Sequence, residues 1–112
     1  MTHIDAFEFG SITIDKKTYN YDVYIMPSGK IEEREHSHEI TGQQIMHVLK
    51  ENPDIILIGK GTSGVAKLTK EAKKLLSENK IKFFEDNTYN IIKKFNDLAK
   101  KKKVAAIIHT TC

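Results

Sequence analysis

Three apolar runs, at residues 55–58, 81–84 and 104–108, constrain this chain more than anything else in it. Strands covered by protein on both faces read as short continuous apolar stretches instead of alternating ones. Between the runs lie two segments with helical periodicity, at about 69–78 and 88–99. Strands joined through helices come out parallel, because a helical crossover returns the chain in its original direction. The last two-thirds of the chain is therefore expected to be a βαβαβ-type unit.

The first third has a different period. Phe7 and Phe9, then Ile12 and Ile14, alternate with polar residues and change phase at Gly10 and Ser11, the mark of a single strand bent by a bulge. After the polar turn Asp15, Lys16 and Lys17, residues 18–26 alternate again, with Tyr19, Tyr21, Val23 and Ile25 set against Asn20, Asp22 and Tyr24. Pro27, Ser28 and Gly29 form a turn, and residues 31–35 return as a short third strand. This part is an antiparallel β meander. Thr41, Gly42, Gln43 and Gln44 read as a capping box that opens a helix with the stripe Ile45, Val48 and Leu49, and Asn52 with Pro53 stops it.

At 112 residues the chain fits one domain, over 1–112, with neither linker nor repeat. Its net charge of +3 comes from lysine, since Arg34 is the only arginine. Arginine is the better reader of phosphates and base edges, so no nucleic-acid partner is expected. The basic run at 100–103 follows a helix end, where cations complement the helix dipole. Cys112 is the only cysteine, which excludes an internal disulfide and a cysteine zinc cage. No apolar stretch approaches the ~20 residues of a membrane span, and MTHIDAFEFG resembles neither a secretion signal nor a transit peptide, so a cytoplasmic location is expected.

Gly59, Gly61 and Gly64 match the pattern G-x-G-x-x-G after the run at 55–58. A dinucleotide loop leads directly into a helix, whereas here residues 65–68 intervene before Thr69, the expected cap. Val65 and Ala66 stand where a phosphate-binding Lys and Ser/Thr would be required, and Val65 also occupies the second glycine of a nucleophile elbow. A tight strand-to-helix connection is the leading reading. His36 and His38 could present two imidazoles on one side of an extended segment, but no third ligand has recognisable spacing, so no metal and no cofactor is expected. His109, Thr110, Thr111 and Cys112 follow directly on a buried strand, and an activated thiolate is the less favoured reading of them.

The segments DVYIMPSGKIEEREHSHEI, IILIGKGTSG and NTYNIIKKFNDLAKKKKVAAIIHTTC resemble, over nearly the whole chain, a small Mth-type domain of unknown function. That family includes archaeal and bacterial proteins, an adipogenesis-associated Mth-domain protein and a mitochondrial complex I assembly factor. Its first two glycines and its ending of His, a small polar residue, Thr and Cys are matched by Gly59, Gly61, His109, Thr110, Thr111 and Cys112. The resemblance implies a three-layer α/β fold with a mixed central sheet, no established activity and no established cofactor. Its eukaryotic members are associated with protein assembly and regulation.

No set of nucleophile, base and orienting group has the required spacing, so the expected function is a non-enzymatic protein-binding module for assembly or regulation. Tyr24, on the strand face opposite Tyr19 and Tyr21, is its candidate anchor. The alternative is a small-molecule or anion site, possibly enzymatic, at the carboxyl ends of the parallel strands. Gly59, Gly61, Thr62, Ser63 and Gly64 would supply amides and hydroxyls there, Glu85 and Asp86 carboxylates, and His109, Thr111 and Cys112 the remaining groups. The same groups could instead satisfy one another and lock the chain end, the reading slightly preferred.

Overall fold

The computed structural model describes residues 2–112. Strands β1 (Ile4–Glu8), β2 (Ser11–Ile14) and β3 (Lys17–Tyr19) form an antiparallel three-stranded sheet. They are followed by β4 (Val23–Ile25), β5 (Ile31–Glu33), β6 (Glu39–Ile40) and α1 (Gly42–Leu49). The rest of the chain runs β7 (Ile55–Lys60), β8 (Lys67–Leu68), α2 (Lys70–Glu78), β9 (Lys82–Asp86), α3 (Thr88–Leu98) and β10 (Val104–His109). A mixed five-stranded sheet has the order β5-β4-β10-β7-β9; β7 is parallel to β10 and to β9, while β4 is antiparallel to β10 and to β5. The pair β6 and β8 is parallel and separate from that sheet.

The period-two geometry of the central strands divides their side chains between two cores. Ile55, Leu57, Val104, Ala106 and Ile108 face Ile91 and Phe95 of α3 together with Ile4, Ile12 and Ile14 of the three-stranded sheet. Ile56, Ile58, Ala105 and Ile107 face Ile45 and Val48 of α1 and Ala72 and Leu76 of α2. The result is three layers: helices α1 and α2, the mixed sheet, then α3 with the smaller sheet. Covered on both sides, β7 is buried from Ile55 to Gly59 and β10 throughout, with each such isoleucine contributing roughly 1.5–3 kcal/mol on burial.

Three expectations are corrected. Residues 7–14 belong to two strands that pair antiparallel, Phe7 opposite Ile12 and Glu8 opposite Ser11, through a tight turn in which Gly10 takes φ +84 and donates its N–H to the carbonyl of Thr110 at 2.8 Å. Residues 18–26 are likewise two strands, β3 and β4, in different sheets. The run at 81–84 is only partly buried: β9 starts at Lys82 and lies at the sheet edge, so Phe83 and Phe84 pack against opposite cores without full burial. The turn at Asp15 and Lys16 holds both residues at positive φ, as a two-residue hairpin connection requires.

Helix starts follow local chemistry. The hydroxyls of Thr41 and Thr69 accept from the amides of Gln44 and Ala72, and Asn87 caps α3 through the amide of Asn90. Gln44 does not complete a capping box, since its side chain turns instead to Arg34.

Candidate functional site

The carboxyl ends of β7 and β10 and the segments flanking β4 and β5 bury a polar cluster of Asp22, Arg34, His109 and Thr110. Asp22 precedes β4, Arg34 follows β5, and His109 ends β10, so pairing of these strands brings them together. Asp22 Oδ1 accepts from the amide and the hydroxyl of Thr110 at 2.8 and 2.9 Å. Asp22 Oδ2 faces Nδ1 of His109 at 2.7 Å and accepts from Nη1 of Arg34. The remaining guanidinium donors reach Oε1 of Gln44 at 2.9 Å and the carbonyls of Ser37 and Glu39 at 3.0 and 2.8 Å.

Electrostatics match this geometry. Burial alone would raise the Asp22 carboxyl, but the Thr110 donors and His109 outweigh it and leave the pKa lowered. Burial lowers the pKa of His109 against the pull of Asp22, and the neighbouring Arg34 and His36 add to the lowering. Burial lowers Arg34 too, with Asp22 opposing, and a guanidinium stays charged regardless. The only arginine of the chain is thus a core residue.

The glycine loop lies against the segment after β10. Thr62 and Ser63 donate to the main-chain oxygens of Thr111 and Cys112, each at 3.0 Å, and Gly64 donates to the carbonyl of Gly61. Gly61 donates to the hydroxyl of Thr88 at 2.9 Å, which in turn donates to the carbonyl of His109 at 2.8 Å. Gly61 has φ +98, and a Cβ there would strike the main-chain oxygen of Thr111 and come within 2.9 Å of the His109 ring. Gly61 and His109 therefore share one end of the sheet. The amides expected to be free for a ligand are engaged by the chain itself. Thr88 joins the glycine loop to the end of β10, and the sequence marks it only as a residue of a helix start.

Glu85 and Asp86 lie at the same edge, with Asp86 opposite Gly59, and their carboxylates already have partners within the chain. Glu85 pairs with Lys60 at 3.2 Å, and Asp86 accepts from the amide of Asn87 and the side chain of Asn90. His36 and His38 both approach His109, a neighbour that spacing along the chain does not show, but they fall in two separate groups of possible ligands, His36 with Asp22 and His109, and His38 with His109 and Cys112. Their rings lie 5.2 and 5.3 Å from that of His109, and one ligand atom from each of His38, His109 and Cys112 falls within 4.8 Å of the others.

Beside this cluster, between β5 and α1, is an open cavity of about 450 Å³ lined by Tyr24, Glu32, Glu33, Glu35, Gln43 and His47, among others. Tyr24 is half-buried, its ring 4.8 Å from that of His47, and His47 Nε2 meets Oε1 of Glu32 at 2.6 Å. Burial raises the phenol pKa of Tyr24, with Glu35 and Glu32 adding to it against Arg34, so the hydroxyl keeps its proton.

The model of a protein family of unknown function (DUF498/DUF598) matches residues 4–109. The chain belongs to this family. Among solved structures, a conserved hypothetical protein of Pyrococcus horikoshii is similar at 34% identity and a TM-score of 0.89, over 97% of this chain and 98% of that one. A structure described as an outer membrane protein from Bartonella henselae is 27% identical with a TM-score of 0.84, over 97% and 94% of the two chains. A Mth938-like domain from Bordetella pertussis shares the fold at 15% identity and a TM-score of 0.78, over 97% and 85%. No match was found among the curated proteins. The family has no characterised activity, and its solved structures include Mth938-like domains. Among the described residues no helix is long and apolar enough to cross a membrane.

Proposed function

We propose that this family member is a non-enzymatic binding module that docks an extended, basic segment of a partner protein in the groove between β5 and α1. The observation that carries this reading is the gathering of Glu32, Glu33 and Glu35 with Tyr24 in the lining of one groove, in a chain whose overall charge is +3. Opposite charge steers encounter and sets specificity, and an aromatic ring supplies an anchor. Strand β5 is also the outer strand of its sheet, so its free edge can accept main-chain hydrogen bonds from an added strand.

The groups with catalytic potential favour the same conclusion. Asp22, Arg34 and His109 are bonded to one another beneath the surface, and in the glycine loop the Gly61 amide is engaged by Thr88 and those of Thr62 and Ser63 by residues 111 and 112. An anion at Gly61 to Ser63 would have to displace those bonds.

The test is titration of the protein with fluorescent Lys-rich and Glu-rich peptides of equal length at two salt concentrations. The Lys-rich peptide should bind, weaken as salt rises, and weaken about tenfold or more with Tyr24→Ala plus Glu33→Lys. Equal binding of both peptides, or an unchanged affinity in the double variant, would overturn the assignment.

A further inference from the structure

We infer that His38, His109 and Cys112 form a binding site for a divalent transition-metal ion of the zinc class, with the fourth position open to water. This inference stands apart from the groove: it rests on different residues and holds whether or not the groove takes a peptide. One ligand atom from each of the three residues lies within 4.8 Å of the others, although His38 is 71 positions from His109 in the sequence. On a tetrahedral ion with nitrogen about 2 Å from the metal, two imidazole centroids stand about 5 Å apart. The His38 and His109 rings stand 5.3 Å apart and perpendicular, so the ion would require only a modest contraction of the thiol and one exposed side chain.

The surroundings of His109 are those of a metal ligand. Its Nδ1 is held at 2.7 Å by the buried carboxylate of Asp22, the outer contact that fixes ring orientation and raises the basicity of the other nitrogen. Asp22 is itself fixed by Thr110 and Arg34, so it acts as the orienting group. Nε2 is left to face Thr111, whose hydroxyl is 3.3 Å away, a long contact that a hydroxyl gives up by rotating. Gly61 keeps this side of the ring open, since a Cβ there would come within 2.9 Å of His109 Cδ2. His38 is exposed and Cys112 half-buried, so an ion has a route from solvent.

A set of two imidazoles and one thiolate suits zinc and its spectroscopic stand-in cobalt better than calcium or magnesium, which take oxygen ligands. The bound ion would join the segment after β5 to the segment after β10. It would thereby cross-link two parts of the chain that otherwise meet through Arg34 and Asp22.

The experiment is titration of the purified, chelator-treated and reduced protein with Co²⁺ alone, followed by displacement with Zn²⁺. The expected result is saturation at one ion per chain, the strong visible absorption of tetrahedral cobalt and a near-ultraviolet thiolate-to-cobalt band. Cys112→Ser should remove the thiolate band, and His38→Ala should weaken Zn²⁺ affinity by at least about tenfold. Because His38 is exposed, the metal-free His38→Ala protein should melt as the parent does, which separates ligand loss from misfolding. His3→Ala, at an exposed histidine outside the cluster, should bind as the parent does. A weak octahedral cobalt spectrum without the thiolate band, or undiminished Zn²⁺ affinity in His38→Ala, would overturn the inference.

Discussion

Asp22 is the side chain on which most of the buried chemistry depends. Two oxygens satisfy an arginine, an imidazole, a hydroxyl and an amide, and among the described residues no buried side-chain polar atom lacks a partner. A buried pair of this kind adds little over an apolar replacement of both members, but removing one member leaves the other charge uncompensated. Asp22→Asn is therefore expected to cost about 3–5 kcal/mol of unfolding free energy, read as a lower urea midpoint with an unchanged slope. A loss under about 1 kcal/mol would mean that Arg34 keeps its charge satisfied by Gln44 and the carbonyls of Ser37 and Glu39 alone. Nothing local in the sequence announces this cluster. Asp22 occupies a polar slot in an alternating stretch, Arg34 follows three residues of a short strand, and their shared partner His109 is 87 positions from Asp22.

At the scale of elements, β5 and α1 are tied by Glu32 and His47. Burial raises the Glu32 carboxyl, but the hydrogen bonds and charges of His47 and Lys30 outweigh it and leave its pKa lowered. A carboxyl depressed on folding contributes stability above its unfolded value, about 4.3, and loses that contribution as pH falls through the folded value. The parent is thus expected to exceed His47→Ala in stability at about pH 5 by no more than roughly 1 kcal/mol, the range of partly exposed pairs. The margin should shrink toward pH 3, as read by urea melts, while the Glu32 carboxyl titrates higher in the variant by NMR. A margin that is flat with pH would assign the contact to packing with Tyr24 instead. The helices themselves were legible because their signals are local: Thr41 and Thr69 cap with their own hydroxyls, and Asn52 at φ +51 ends the region of α1 before Pro53. Residues 4–14 mislead because a bulge and a tight turn share the same glycine and phase change, and only the pairing of β1 with β2, a property of the folded chain, distinguishes them. Residues 18–26 mislead because alternation continues across a bend at which the chain passes from the smaller sheet to the larger one and Asp22 becomes buried.

For the molecule as a whole, the parallel pair β7 and β10 was the most readable feature, since its apolar runs have no alternative to double burial. The convergence of His36, His38 and His109 was not readable, because it depends on β5 and β10 flanking β4 in the sheet order, a long-range property. That order also sets a gradient of stability. Strands β7 and β10 carry both cores, whereas β5 and β9 each have one unpaired edge and no fully buried residue. Native-state hydrogen exchange should therefore find amides at 56–58 and 105–108 opening only with global unfolding, at free energies equal to the denaturant value. Amides of β5 and β9 should open locally at lower cost. The amides of Thr62 and Ser63 decide how the glycine loop behaves. They sit outside every strand and helix, yet each donates at 3.0 Å to the segment that continues β10, so they should be protected well beyond an ordinary loop. If they exchange at the rate of free peptide, the loop and the segment after β10 part in solution, and the amides become available to an anion after all; if they exchange with β10, the two segments behave as one unit and the loop is a structural lock.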